Sequence, residues 1–303
     1  MKNFDDDDDD DDDDDEFWSV AMNGRVDFNL LLQDDSDDFD ATSIVRTITT
    51  LAPNPSDLPL VLRLGLNSKD GCLSDVSGDV WDAGLLLAAF LYGTNEGRQL
   101  CYNACFGDDV AQVDGGGILE LGSGLGLSGL AAAAAAAAAL QTRSDVGDER
   151  TSRVVLTDRD DTNILELLGK NVESNLSEIG EKNLSMTVQP CDWLHVANWR
   201  GNADCCPKGT FNLIIGSALI YVPDHAVACA ETLSHYLRRS SQAMAIIIQL
   251  PDRAGFDTFV CRCRELGLTV TSRPISDEMM LSVEQKLVSP SDYQMYFIQS
   301  LND

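Results

Sequence analysis

The stretch ILELGSGLGLSG, residues 118–129, constrains the fold of this chain more than any other. An apolar run leads into a turn with glycine at 122, 124, 126 and 129. This order predicts a strand, a tight turn and a helix, and glycine lets the turn's backbone approach a ligand closely because it has no Cβ. Counted from Gly124, the glycines match the dinucleotide fingerprint G-x-G-x-x-G. Counted from Gly122, with Glu120 two residues before it, they allow a different ligand.

Strands and helices alternate along the chain on both sides of this turn. The predicted strands are 59–67, 117–122, 153–158, 185–190, 211–217, 243–250 and 293–301. The predicted helices are 80–93, 125–140, 161–178, 223–239 and 254–266, with a polar connection after the first of them. Such alternation is typical of an α/β domain in which helices cover both faces of a parallel sheet.

Negative charge is concentrated at the N-terminus. Residues 1–40 hold 18 Asp and Glu against Lys2 and Arg25, and the whole chain has a formal net charge of -29. A block of like charges repels itself and buries nothing, so we expect residues 1–58 to be a largely disordered acidic extension. Residues 59–303 are then the folded domain, with a core from about residue 78. The acidity also argues against a nucleic-acid partner, because phosphates would be repelled.

Targeting signals and cysteines bear on where the chain works. The N-terminus has no basic segment followed by an apolar one, and no apolar run is long enough to span a membrane. Nine cysteines and three histidines occur without a paired C-x-x-C pattern. We therefore expect reduced thiols, no metal site, no membrane partner, a cytoplasmic location with the nucleus as the other candidate, and a monomer.

Asp158 ends the strand VVLTD, the next one after the glycine-rich turn. In open α/β sheets the ligand lies beyond the carboxyl ends of the strands, where the strand order reverses. An acid at this position can bind both hydroxyls of a ribose, in NAD and in S-adenosylmethionine alike. The alternative is that Asp158 caps the following helix.

Five segments occur in an order that resembles a known family. They are VWDAGLLLAAFL, ILELGSGLGLSGLAA, VVLTDRDDTNILELLGKNV, CDWL and FNLIIGSALIYVPD. Together they resemble the class I S-adenosylmethionine-dependent methyltransferases, and specifically family 16, the non-histone protein-lysine methyltransferases. The resemblance covers residues from about 78 onwards. It implies a seven-strand, doubly wound, mostly parallel Rossmann-like sheet, S-adenosyl-L-methionine as cofactor, and a lysine of a protein as substrate.

The resemblance also implies roles for the matching positions. The cofactor contacts are Trp81 at the methionine end, Glu120, Gly122, Ser123 and Gly124 in the loop beneath it, Asp158 at the ribose, Arg159 on the same edge, Asp192 and Trp193 around the adenine, and Ser217 packed on the cofactor. Tyr221 faces the target side chain and is the candidate catalytic residue. The alternatives are that Trp81 is a core residue, that Trp193 fills a loop, and that Tyr221 is a strand-end tyrosine with a satisfied hydroxyl.

The acceptor side departs from the family pattern. The family has Asp-x-x-Tyr where this chain has Ala218-Leu219-Ile220-Tyr221, and Asp224 is the acid nearest in sequence that could replace the aspartate. Two hypotheses therefore stay open: an active protein-lysine methyltransferase, and a catalytically weak cofactor-binding module that acts through contacts. A third, an NAD enzyme, is disfavoured by the tryptophan and Asp-Trp elements.

Overall fold

The computed structural model describes residues 44–54, 56–66, 80–107, 116–143, 151–180, 183–194, 208–283, 285, 287 and 289–300. The acidic segment 1–40 lies outside these ranges. Within them, no helix combines the length and the apolar character that a membrane crossing requires. The described residues also contain no group of three or more His, Cys, Asp or Glu arranged to hold a metal ion.

The described residues form nine strands and seven α-helices. The strands are β1 (Ile44–Thr50), β2 (Leu60–Leu66), β3 (Ile118–Leu121), β4 (Ser152–Asp158), β5 (Leu184–Pro190), β6 (Leu213–Ser217), β7 (Met244–Gln249), β8 (Leu268–Pro274) and β9 (Gln294–Ser300). The helices are α1 (Asp82–Gly93), α2 (Asn95–Phe106), α3 (Leu127–Gln141), α4 (Thr162–Ile179), α5 (His225–Tyr236), α6 (Phe256–Glu265) and α7 (Asp277–Leu281).

Seven of the strands form one sheet in the order β5-β4-β3-β6-β7-β9-β8. The strands from β5 to β7 are parallel, and β9 runs antiparallel to both β7 and β8. The predicted seven-strand, mostly parallel α/β fold is therefore confirmed. The strand order reverses between β3 and β6, so the crevice that an open sheet offers to a ligand lies at the carboxyl ends of these two strands.

Apolar side chains on both faces explain why the central strands are buried. Each residue from Leu213 to Gly216 in β6, and from Ala245 to Gln249 in β7, is buried. Helix α1 is buried along its whole length. Helix α3 packs through its alanine run, of which Ala131–Ala136 are buried. Small alanine side chains allow close approach between this helix and its neighbours, and alanine favours the helical backbone.

The hairpin β1–β2 corrects the predicted domain boundary. Ile44–Thr50 falls within the segment expected to be an extension, yet it pairs antiparallel with Leu60–Leu66. Two asparagines of α4 hold the hairpin. Asn171 and Asn175 each accept a backbone N–H of β2 with the side-chain oxygen, at 2.8 Å, and donate to a β2 carbonyl with the amide nitrogen. The oxygen and the nitrogen of each asparagine side chain thus make the backbone hydrogen bonds that a neighbouring strand would otherwise supply.

Four elements were not predicted: β1, α2, β8 and α7. The polar sequence of α2 was interpreted as a connection, but Thr94 begins a helix there because its hydroxyl accepts the Gly97 N–H at 3.0 Å. Strand β8, LTVTSRP, lies at the sheet edge, where only Leu268 is buried. An edge strand of this kind lacks the apolar pattern by which strands are recognised.

Candidate functional site

A pocket of about 340 Å³ lies at the carboxyl ends of β3, β4 and β6. It is lined by Val80, Trp81, Gly84, Gly122, Ser123, Gly124, Leu125, Leu127, Ser128, Asp158, Arg159, Cys191, Asp192, Trp193, Leu194, Ser217, Ala218, Leu219, Tyr221, His225 and Arg253. Of the eleven residues predicted for the site, all but Glu120 are in this lining. Segments distant in the sequence therefore meet in one crevice at the strand-order reversal.

The loop between β3 and α3 forms one wall of the pocket. Gly122 and Gly124 have φ of 60° and 52°, the left-handed region in which a side chain would be strained. A Cβ on Gly122 would lie 3.0 Å from Leu219 and 3.5 Å from the Trp193 ring. Ser123 fixes the loop to β4, because its N–H donates to the Thr157 carbonyl at 2.8 Å and its hydroxyl accepts the Thr157 N–H at 3.0 Å.

Asp158 cross-links this loop to the end of β4. Its Oδ2 accepts the Gly124 N–H at 2.7 Å, and its Oδ1 accepts the Arg159 N–H at 2.8 Å. The cap of α4 is a different acid, Asp161, whose carboxylate accepts from Asn163 at 2.9 Å. The alternative role of Asp158 as the helix cap is therefore wrong, and its carboxylate faces the pocket instead.

Trp193 lies against the glycine loop in the pocket lining. Its ring is 3.5 Å from the point where a Gly122 Cβ would be, and it packs beside the apolar cluster below β3. Its indole Nε1 is buried and has no hydrogen-bond partner among the described residues. A buried donor without a partner is costly, and a ligand acceptor in the pocket would remove that cost. Asp192 and the exposed Arg159 line the same end.

Trp81 and Ser217 lie at the other end of the pocket. Trp81 immediately precedes α1, and its carbonyl accepts the N–H groups of Gly84 and Leu85 at 3.0 and 3.1 Å. Ser217 ends β6, and its hydroxyl is 3.6 Å from the position of a Gly84 Cβ. The first turn of α1 therefore approaches the end of β6 closely, and both Trp81 and Ser217 line the pocket.

Glu120 lies beneath the pocket and not in its lining. Its side chain is 2% exposed, and burial raises the pKa of this carboxyl to about 8. Polar groups of Ser123, Gly129 and Ser128 oppose the rise in pKa, whereas the charge of Asp158 adds to it. A carboxyl with this raised pKa is mainly protonated at neutral pH. Glu120 is buried under the glycine loop and does not line the pocket.

Tyr221 lies in the loop between β6 and α5, residues 218–224, which we call the acceptor loop. Ala218 begins it with φ of 50°, in the left-handed region where alanine is strained, and donates its N–H to Ile248 at 2.9 Å. Further along, Gln249 accepts the Ile220 N–H at 3.2 Å and donates to the Ile220 carbonyl at 2.9 Å. Asp224 is exposed and is not in the pocket lining.

The sequence analysis missed Ser128 at the start of α3 and two polar lining residues that follow strands, His225 and Arg253. His225 begins α5, and its ring meets Tyr221 edge-on at 5.7 Å and Trp193 at 6.3 Å between centroids. Arg253 follows β7, and burial lowers its pKa while Tyr293 opposes that shift. The signal was present, because both residues follow carboxyl ends of strands next to the strand-order reversal, where ligands bind.

The chain is similar to proteins of known family. A family model described as lysine methyltransferase matches residues 63–259. Protein N-lysine methyltransferase METTL21A of Danio rerio is 28% identical over 170 residues, which are 55% of this chain and 59% of that protein. The Mus musculus protein of the same name is 29% identical over 166 residues, 55% and 58% of the two chains. The match thus spans a little over half the length of these relatives.

The fold also resembles solved structures, although distantly. An arsenic (III) S-adenosylmethionine methyltransferase from Chlamydomonas reinhardtii shares 13% identity and a TM-score of 0.37, covering 60% of this chain and 61% of its own. The strand order of the sheet, and not this distant likeness, identifies the fold. Because the lysine methyltransferase model covers more than half of the sequence, including the glycine loop, the tryptophans and the acceptor loop, this chain belongs to the lysine methyltransferase family.

Proposed function

We propose that this protein transfers a methyl group from S-adenosyl-L-methionine to the ε-amine of a lysine in another protein. One observation carries the proposal: the loop at Gly122 and Gly124, bonded to Asp158, lines a single pocket together with Trp193 and Tyr221 at the strand-order reversal. The family membership and the relatives, which are protein N-lysine methyltransferases, support the choice of acceptor.

The residues of the pocket fit S-adenosyl-L-methionine. The volume of about 340 Å³ lies in the range of small-molecule sites. The buried Trp193 Nε1, which has no partner among the described residues, is a donor suited to a polar group of the adenosine. Each Asp158 oxygen accepts one backbone N–H, and a carboxylate oxygen can accept a second bond, here from a ribose hydroxyl. Trp81 places an aromatic face at the end where the methionine part would lie.

When bound, the cofactor supplies a methyl group on a positively charged sulfur. The protein's part is to hold the lysine nitrogen in line with that methyl at about 3 Å, which alone can lower a barrier by several kcal/mol. Aromatic faces such as those of Trp81 and Tyr221 attract a sulfonium and a methylated ammonium. The glycine loop and Trp193 fix one side of the pocket, and the acceptor loop forms the other.

The acceptor nitrogen must be neutral to react, although a free lysine has a pKa of about 10.4. A pocket wall built from Leu219, Tyr221 and the neighbouring Leu194 disfavours the charged ammonium, because burial in an apolar environment lowers the pKa of an amine. Tyr221 stands at this wall with its ring against His225. We assign Tyr221 the role of contacting the lysine side chain.

The test has two parts, one for the cofactor and one for the transfer. Calorimetry should give saturable binding of S-adenosylmethionine and S-adenosylhomocysteine, and no binding of NADH. Labelled methyl groups should then enter a protein of a cell extract, and mass spectrometry should find them on lysine. Binding of NADH in place of the methyl donor would overturn the assignment of the pocket. Methylation only on other residue types would overturn the choice of acceptor.

A second function is a cofactor-binding module with weak activity. The observation in its favour is Ala218, which has only a methyl group where the resembling family has a carboxylate. Cofactor binding without label incorporation in any extract would support this function against the first.

A further inference from the structure

The imidazole of His225 packs against two aromatic rings with different predicted roles. It contacts Tyr221, the predicted acceptor residue, at 5.7 Å and 74°, and Trp193, the predicted adenine residue, at 6.3 Å and 88°. We propose that His225 is a catalytic residue that accepts a hydrogen bond, and then a proton, from the acceptor amine. This inference rests on the proposed function and deepens it.

The acceptor end of the pocket shows why such a group is needed. The described lining residues that follow β6 and β7 include no carboxylate; they are Ala218, Leu219, Tyr221, His225 and Arg253. A neutral amine must be oriented by its N–H groups so that its lone pair points at the methyl group. Among these side chains, only the Tyr221 hydroxyl and the His225 ring can accept a hydrogen bond, and the imidazole is by far the stronger base.

The backbone holds His225 in this position from two sides. Its N–H donates to the Val222 carbonyl at 3.1 Å, and the next N–H, of Ala226, donates to Pro223 at 3.1 Å. These bonds close the turn from which α5 starts. The imidazole is therefore carried by the first residue of a twelve-residue helix, directly after the acceptor loop. A catalytic group placed this way keeps its geometry without help from the substrate.

The charges around His225 suit a base. Burial lowers its pKa below the ordinary value, while Asp192 and Asp224 oppose that shift. The Tyr221 phenol and the Trp193 indole pack against the ring, and the charges of Asp192, in the pocket lining, and Asp224, outside it, act on the ring from a longer range. The ring is mainly neutral above pH 7 and can accept a proton. The two carboxylates then stabilise the imidazolium that forms.

Methyl transfer comes first, and proton transfer to His225 follows it. The lone pair of the lysine nitrogen forms the new N–C bond, while the C–S bond breaks and its electron pair stays on sulfur, which becomes a neutral thioether. The nitrogen is now a methylated ammonium. One of its protons passes to the unprotonated ring nitrogen of His225, giving an imidazolium that later loses this proton to water. No oxidant, reductant or metal takes part in this balance.

A first experiment asks whether His225 contacts an amine at all. The chain has three histidines, so their ring C–H signals are countable by NMR, and His225→Phe identifies one of them. The protein is saturated with S-adenosylhomocysteine and titrated with n-butylamine, a mimic of the lysine side chain, at mildly alkaline pH. The His225 signal should shift, while that of His235, near the opposite end of α5, should not. A titration that leaves the His225 signal unmoved would overturn the contact.

A second experiment measures transfer and binding in matched variants. His225→Phe should lower the turnover number by about 10²- to 10⁴-fold, as loss of a general base does, and leave the affinity for S-adenosylhomocysteine within about threefold. His225→Gln keeps a hydrogen-bond acceptor but no base, so its turnover number should lie between those of wild type and His225→Phe. His235→Phe, on the same helix, should behave as wild type. Below the His225 pKa, the slope of log rate against pH should drop from about two in wild type to about one in His225→Phe.

The two proposals fail in different ways. Wild-type protein that binds the cofactor but methylates no lysine contradicts the proposed function and the proton transfer with it. In that case the n-butylamine titration still decides whether His225 contacts the amine. Wild-type activity that persists in His225→Phe with the same pH profile leaves the proposed function standing and overturns the role of His225.

Discussion

Both polar atoms of the Gln249 side chain bond the backbone of a single residue, Ile220. Oε1 accepts the Ile220 N–H at 3.2 Å, and Nε2 donates to the Ile220 carbonyl at 2.9 Å. Gln249 ends β7 and is 1% exposed, whereas Ile220 immediately precedes Tyr221 in the acceptor loop. A buried amide on one strand thus sets the path of the loop that carries the candidate acceptor residue.

Replacing Gln249 by methionine keeps the volume and removes both bonds. Because each buried backbone group left without a partner costs about 1–3 kcal/mol, the free energy of unfolding should fall by about 2 kcal/mol. Turnover should fall further than stability explains, since a misplaced acceptor loop can cost about 100-fold. Affinity for S-adenosylhomocysteine, measured by calorimetry, should stay within about threefold. Gln242→Met, at an exposed position, is the control. Equal losses of affinity and turnover would contradict a role limited to the acceptor loop.

Ala218 lies in the left-handed region, where an L-residue other than glycine costs about 1–2 kcal/mol. Ala218→Gly should therefore raise the free energy of unfolding by about 1 kcal/mol, measured by chemical denaturation. Aspartate is compatible with the same left-handed backbone, so Ala218→Asp adds a carboxylate beside the acceptor amine. It should raise methyl transfer, and by a larger factor in a His225→Phe background, where the base is missing. Ala218→Asn separates the charge from the shape. If Gly, Asn and Asp raise transfer equally, backbone strain rather than the carboxylate is the cause.

Asp158 and Asp161 lie three residues apart and have separable roles. Asp158→Ala removes the acceptor for the Gly124 N–H, so affinity for S-adenosylmethionine should fall at least about tenfold, which corresponds to one charge-assisted hydrogen bond. Asp161→Ala removes only the cap of α4, so it should cost about 1 kcal/mol of stability and leave affinity unchanged. Calorimetry and denaturation on both variants check this. A loss of affinity in Asp161→Ala would show that the cap also supports the pocket.

Glu120 should make the stability of the cofactor-free protein depend on pH. Its pKa is raised to about 8 in the folded state by burial, above the ordinary value of 4.5. The folded state therefore binds the proton more tightly, and this contribution to stability is full below the ordinary pKa and is lost as pH rises through the folded pKa. Relative to wild type, Glu120→Gln should gain stability from about pH 5 to 8, by roughly 1 kcal/mol per pH unit. Glu166→Gln, at an exposed position on α4, should show no such trend.

The sequence predicted the sheet and the glycine turn well because both rest on local chemistry. Strands β4, β6 and β7 are apolar on both faces, and the turn at Gly122 needs glycine. The sequence did not predict β1 or its pairing with β2. The side chains that hold this hairpin, Asn171 and Asn175, lie more than a hundred residues further along the chain, and their role depends on tertiary contact.

The acceptor side was harder to predict for a related reason. Gln249 acts only through the backbone of Ile220, and nothing in its own sequence context marks it. His225 carries no motif, and its packing against Tyr221 and Trp193 follows from how three strand ends converge. The role of a residue that acts through a neighbouring strand or loop can be recognised only once the sheet is assembled.

The alanine run of α3 has a consequence for inherited variation. The helix starts next to the glycine loop, its first half is buried through Ala136, and from Ala137 onward it is partly exposed. Because alanines within a run are interchangeable, one codon gained or lost by replication slippage leaves every buried position occupied by the same residue. The change emerges only at the distal end, where each added residue lengthens the helix by about 1.5 Å. Alleles that differ in this repeat should therefore encode proteins with identical pockets.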